Sequence, residues 1–113
     1  MDALERQEVW RRDARILGEV GKVLLGASLP KVEVHLPRAL AEDAVAAWSR
    51  DDDDTSPLGH ETCEQRIERR RAATLALIGL SITEGGRWDD TEVVVDLDPE
   101  DVGMAMEAVD DLP

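Results

Sequence analysis

The stretch Lys31-Val32-Glu33-Val34-His35-Leu36 sets the architecture of this chain, because polar and apolar side chains alternate along it. Successive side chains of a β-strand point to opposite faces of a sheet, so this alternation predicts a strand whose valines and leucine face a core. A shift of 61 residues places the three apolar positions on Val93, Val95 and Leu97. The match predicts a second strand at residues 91–97.

Apolar residues at helical spacing predict four helices, at residues 2–26, 37–48, 62–85 and 98–112. Thr62 and Gln65 form a capping box, the arrangement that closes a helix N-terminus. Gly18, Gly21 and Gly79 each cost their helix about 1 kcal/mol relative to Ala, so we expect another helix to come close there. The segment 72–82 is apolar on nearly all sides and is predicted to be buried. On this basis Leu77→Asp is expected to abolish folding.

The resulting order is α-β-α-α-β-α, an α+β fold in which helices cover two short antiparallel strands. We predict one domain over residues 1–113, with half-repeats at 1–50 and 61–113 joined by an acidic linker, residues 51–60. The shift also superposes the helix stripes, which indicates a pseudo-two-fold arrangement. Two open strand edges and an apolar helix leave more apolar surface than one chain of this size covers. A homodimer is therefore expected, with the strands extended across it.

The charge of the chain is strongly acidic and unevenly distributed. The net charge is −13, yet residues 1–38 are at +1 and residues 39–113 are at −14. Cys63 is the only cysteine, which excludes an internal disulfide and suits a reducing cytoplasm. The longest apolar run falls short of a membrane span, and the acidic start of the chain does not resemble a signal peptide. We therefore expect a cytoplasmic protein that does not associate with a membrane.

Residues with metal or nucleophile chemistry are few. The stretch His60-Glu61-Thr62-Cys63-Glu64 begins like a zinc-protease helix, which requires a second His where this chain has Glu64. The four aspartates at 51–54 are not followed by the Gly and Glu of a calcium-binding loop. The sequence therefore predicts no metal, no cofactor and no enzymatic activity.

The residues from Lys31 to Leu40 (Lys31-Val32-Glu33-Val34-His35-Leu36-Pro37-Arg38-Ala39-Leu40) resemble the strand-and-turn opening of ribbon–helix–helix DNA-binding proteins. In that family alternate strand residues face the major groove. The resemblance implies that Lys31, Glu33 and His35 would contact bases and that the helix after Pro37 would be the first of the pair. A DNA-binding regulator that uses strand 31–36 is therefore the alternative hypothesis.

The leading hypothesis is a non-enzymatic interaction or regulatory protein that binds a protein partner through an acidic or a helical surface. A basic partner would suit the acidic surface. An inhibitor, an immunity protein or a nucleic-acid mimic would present carboxylates in this way, and the residues leave that choice open. Nucleic acid is a disfavoured partner because the acidic charge repels phosphates. The residues expected at the partner surface are Lys31, Glu33, His35, Asp51, Asp52, Asp53, Asp54, Arg69, Arg70 and Arg71.

Overall fold

The computed structural model describes residues 3–26, 33–50 and 60–112. The elements are α1 (Ala3–Gly26), β1 (Glu33–Pro37), α2 (Arg38–Ser49), α3 (Cys63–Gly85), β2 (Arg87–Trp88), β3 (Glu92–Asp96) and α4 (Pro99–Ala108), and a 3₁₀ turn, Val109–Asp111, follows α4. This order confirms the predicted α+β fold. No helix within the described ranges is long and apolar enough to cross a membrane.

The sheet has three antiparallel strands in the order β1-β3-β2, rather than the two strands predicted. β1 pairs with β3 so that Val34 lies opposite Val95. β2 has only two residues, too few for an alternating pattern to be read from sequence, and it joins β3 through a tight connection. Pro37 ends β1 and precedes α2 instead of lying inside the helix. A proline is accommodated there because β1 is an edge strand.

One face of the sheet packs on the helices, and the opposite face is polar. α3 is the central helix and contacts α1, α2, α4 and β3. Burial of the apolar side chains between the sheet and the helices is the main force that holds the two layers together. The buried side chains include Leu17, Val20, Val34, Leu36, Ala41, Ala44, Leu75, Ile78, Ile82, Val93, Val95, Leu97, Ala105 and Ala108.

Two glycines allow helices to approach to backbone contact. A Cβ atom built on Gly79 of α3 would lie 2.0 Å from the carbonyl oxygen of Ala44 in α2. A Cβ atom on Gly21 of α1 would lie 2.1 Å from the carbonyl oxygen of Ala105 in α4. The expected role of these glycines is confirmed. Ala44 and Ala105 are equivalent under the 61-residue shift, although descent of the halves from one repeat stays a prediction.

The helix starts follow the capping rules where the structure describes them. The Thr62 hydroxyl accepts the Gln65 N–H at 3.1 Å, and the Gln65 side chain accepts the Thr62 N–H at 2.9 Å, which confirms the capping box. The Asp98 side chain caps α4, with Pro99 in its first turn. The predicted start of α1 at Asp2 lies outside the described residues.

Residues 72–82 are buried on most sides, as predicted, with Leu77 as the exception; every other residue of this segment is buried or half-buried. Leu77 is 46% exposed, although Leu75 and Ile78 beside it are fully buried. The neighbours of α3 cover most of this segment and leave it open at Leu77. The premise of the expectation that Leu77→Asp abolishes folding is therefore wrong, because a carboxylate at this position reaches water. We expect this variant to fold.

Candidate functional site

The outer face of the sheet carries two of the predicted site residues, Glu33 and His35. His35 Nδ1 lies 3.0 Å from Glu92 Oε1, and its Nε2 lies 3.9 Å from Glu33 Oε1. Arg87 Nη2 donates to Glu33 Oε2 at 3.1 Å. Asp96 lies opposite Glu33 across the strand pair. Four of these five side chains are thus paired with one another, and three of the five are carboxylates.

This arrangement bears on the ribbon–helix–helix resemblance. Over the residues that the structure describes, β1 is hydrogen-bonded to β3 of the same chain. Glu33 and His35 do point out of the sheet, as the resemblance implies, but the carboxylates beside them oppose the approach of DNA phosphates. Lys31, the third expected contact residue, lies outside the described residues.

The three consecutive arginines of α3 have different surroundings. Arg69 donates two hydrogen bonds to the Glu61 carboxylate, at 2.7 and 3.1 Å. Glu61 has only 7% of its side chain exposed, so this pair secures the start of α3. Arg71 is paired with Asp111. Arg70 is exposed and forms no ion pair with the described residues. Within the described part of the chain, Arg70 is thus the one arginine of the three without an ion pair.

A groove of about 630 Å³ lies between α1, α3 and the 3₁₀ turn. It brings together charged groups that are far apart in sequence, three arginines and three carboxylates, above an apolar floor. Arg11 of α1 pairs with Glu68 of α3 at 3.3 Å. The residues lining the groove are Arg11, Ala14, Arg15, Glu64, Ile67, Glu68, Arg71, Ala108, Asp111 and Leu112.

The carboxyl group of Glu68 in this groove has a raised pKa. Burial raises its pKa above the usual value, and the neighbouring Glu64 carboxylate adds to that rise, while the hydrogen bond and charge of Arg11 oppose it. The Oε2 atom of Glu68 is buried without a hydrogen-bond partner in the described part of the chain. A perturbed carboxyl group in a groove is a recognised mark of a functional site. Glu64 and Glu68 were not predicted from the sequence to form a site.

The acidic charge of the fold is concentrated in the segment 89–111, which we call the acidic segment. It holds ten acidic residues and no basic residue. Glu92 is paired with His35 and Asp111 with Arg71. The other carboxylates form no ion pair within the described ranges; they are Asp89, Asp90, Asp96, Asp98, Glu100, Asp101, Glu107 and Asp110.

The carboxylates at the start of α4 interact with one another. Burial raises the pKa of Asp101, and the charges of Asp98 and Glu100 raise it further. Carboxylates near a helix N-terminus are stabilised by the helix dipole. At Asp101, burial and the charges of Asp98 and Glu100 act in the direction opposite to such stabilisation.

The arginines are concentrated elsewhere, in the N-terminal halves of α1 and α3. Eight of the eleven arginines occur in two short segments, residues 6–15 and 66–71. Packing of α1 on α3 brings these segments together, as the contacts of Arg11 with Glu68 and of Gln65 with Gln7 show. Arg69, Arg70 and Arg71 were predicted from the sequence, whereas Arg11, Arg15 and the groove were not. The sequence shows that Arg11 and Arg15, and likewise Glu64 and Glu68, are four residues apart and so share a helix face. It does not show which helices face each other.

The remaining candidates add little chemistry. His60 and Cys63 are both exposed at the start of α3, and the described residues contain no group of three side chains suited to hold a metal ion. Asp51, Asp52, Asp53 and Asp54 lie outside the described residues. Comparison with protein families, curated proteins and solved structures gave no match.

Proposed function

We propose that this chain is a non-enzymatic interaction or regulatory protein that binds a basic surface of a partner protein through its acidic segment. Inhibition of that partner, immunity to it and mimicry of a nucleic acid are the forms this function would take. We further propose that the protein acts in the cytoplasm as a homodimer. The single exposed thiol, Cys63, suits a reducing compartment.

The observation that carries the proposal is the segregation of charge. Along the sequence of the acidic segment there is no basic residue, while eight of the eleven arginines lie on α1 and α3. Only two of its ten carboxylates, Glu92 and Asp111, are paired with a basic side chain of the described residues. A solvated face that served only solubility would be expected to mix charges of both signs. Repulsion among carboxylates such as Asp98 and Glu100 destabilises the free protein. A basic partner would relieve that repulsion on binding.

The experiment compares two variants with the same net charge. In the first, three carboxylates of the acidic segment are neutralised as Asp96→Asn, Glu100→Gln and Glu107→Gln. A control carries the same number of substitutions outside the segment. The control substitutions are Glu8→Gln, Glu19→Gln and Asp43→Asn.

The tagged proteins are used to capture partners at about 0.05 and 0.5 M salt, a range over which exposed charges become strongly screened. Wild type and control should retain the same basic protein at low salt and lose it at high salt. The acidic-segment variant should lose it at both. Equal retention by the two variants would refute a role of the acidic segment, because their net charges are identical.

A further inference from the structure

The outward side of α3 presents a row of exposed and half-buried residues, which we call the α3 stripe. Its members recur at spacings of three and four, so they lie along one face of the helix. Leu77 stands at its centre and is 46% exposed. All members are exposed or half-buried; they are Arg70, Ala73, Leu77, Leu80, Ser81 and Glu84.

The stripe is open because the rest of the fold covers the opposite side of α3. Leu75, Ile78 and Ile82 are buried against the core. Gly79 abuts α2. An apolar centre on an otherwise charged surface is the usual composition of an interaction site.

The charges of the stripe are arranged symmetrically about Leu77. Arg70 lies seven residues before it and Glu84 seven residues after it, so each is about 10 Å along the helix axis from Leu77. Neither side chain forms an ion pair with any described residue. Ala73 and Ser81, four residues to either side of Leu77, are small enough for a second helix to come close.

We propose that a second copy of this chain covers the stripe, with the two α3 helices antiparallel about a two-fold axis at Leu77. Leu77 then packs on the partner's Leu77, and Arg70 meets the partner's Glu84 at both ends of the contact. A parallel pairing would instead place arginine on arginine and glutamate on glutamate. Self-complementarity of this kind is what a two-fold interface requires. The inference rests on the proposed homodimer and assigns its surface.

The competing arrangement is a dimer through the open edge of β1, which would extend the sheet. The edge of β1 lies on a different element from Arg70 and Glu84, so a dimer of that kind is insensitive to charge at the stripe. Charge exchange on α3 therefore distinguishes the two arrangements.

The test measures the dimer dissociation constant by sedimentation velocity for the full chain at about 1–100 µM. Arg70→Glu and Glu84→Arg should each raise it about tenfold or more, because each replaces two ion pairs by two repulsive contacts. The double variant should return it to near the wild-type value, since the pairs form again with exchanged signs. Lys22→Glu and Glu107→Arg carry the same charge changes outside the stripe and should leave it unchanged.

A cross-link provides a second measurement at the axis itself. In a Cys63→Ser background, Leu77→Cys should form a disulfide between chains on mild oxidation, because the two thiols face each other there. Met106→Cys, another exposed apolar position, should not. Leu77→Asp should remain folded by circular dichroism and sediment as a monomer.

The outcomes separate the inference from the function on which it rests. A wild-type monomer at 100 µM would overturn both the homodimer and its surface. A dimer with no rescue in the double variant and no Leu77→Cys cross-link would overturn the α3 stripe alone. Capture of a partner by the acidic segment can be measured with the monomeric Leu77→Asp variant, so that result does not depend on the dimer.

Discussion

Gly79→Ala should destabilise the protein, even though alanine is the better helix former. The added Cβ would lie 2.0 Å from the carbonyl oxygen of Ala44 and 3.0 Å from Cβ of Trp48, so α2 must move by about 1 Å to restore normal contacts. Overpacking costs about 1–3 kcal/mol, and the upper end applies because the obstacle is backbone rather than a mobile side chain. The gain in helix propensity offsets about 1 kcal/mol. The net expected loss is about 2 kcal/mol.

Gly103→Ala in α4 is the matched control. Gly103 has no atom within 4 Å of an added Cβ, so only the propensity gain remains and stability should rise by about 1 kcal/mol. Urea unfolding followed by circular dichroism gives both free energies. On heating, the midpoint should fall by about 8 °C for Gly79→Ala and rise by about 4 °C for Gly103→Ala. Equal stabilisation by the two substitutions would refute the close approach of α2 to α3.

Three further predictions concern capping, pH and DNA. Thr62→Ala should lower the unfolding free energy by about 1 kcal/mol through loss of the cap to Gln65, while Thr62→Ser should change it little; equal losses would contradict the capping role. Because the pKa of Glu68 is raised by folding, the stability that its carboxyl contributes is full below pH 4.5 and is lost as the pH rises through the folded pKa. Glu68→Gln should therefore match wild type in urea unfolding at pH 4 and exceed it at pH 7, and a constant difference would contradict the shift. Finally, the protein should not retard duplex DNA in a gel at about 0.15 M salt; specific retardation lost in Glu33→Ala or His35→Ala would instead support the ribbon hypothesis.

The strands and helix ends were largely predictable because their signals are local. Apolar and polar side chains alternate around Val34 and Leu36, so a strand there must bury one of its faces whichever strand it pairs with. Thr62 and Asp98 satisfy backbone N–H groups within three residues of themselves, so their function needs no tertiary contact. β2 was missed because two residues contain no period, and its pairing depends on where β3 lies.

The candidate sites were less predictable, since they depend on which surfaces meet. The composition showed that the excess of carboxylates lies in the C-terminal part of the chain. It did not show that one of these carboxylates, Asp111, pairs with Arg71. The groove of Arg11 and Glu68 joins helices that are 57 residues apart in sequence. A helix pattern specifies which residues share a face, and it does not specify what that face contacts.

Leu77 and Gly79 show most clearly what the sequence determines and what the tertiary structure decides. Their sequence established an apolar helix with a glycine suited to close packing, because spacing and side-chain size are properties of the chain alone. The packing of α2 and α1 against α3 then placed Gly79 in backbone contact and left Leu77, two residues away, in solvent. Burial is a property of the neighbours that a residue acquires on folding. For that reason the elements could be derived from the residues, whereas the exposed stripe of α3 could be recognised only once its neighbours were in place.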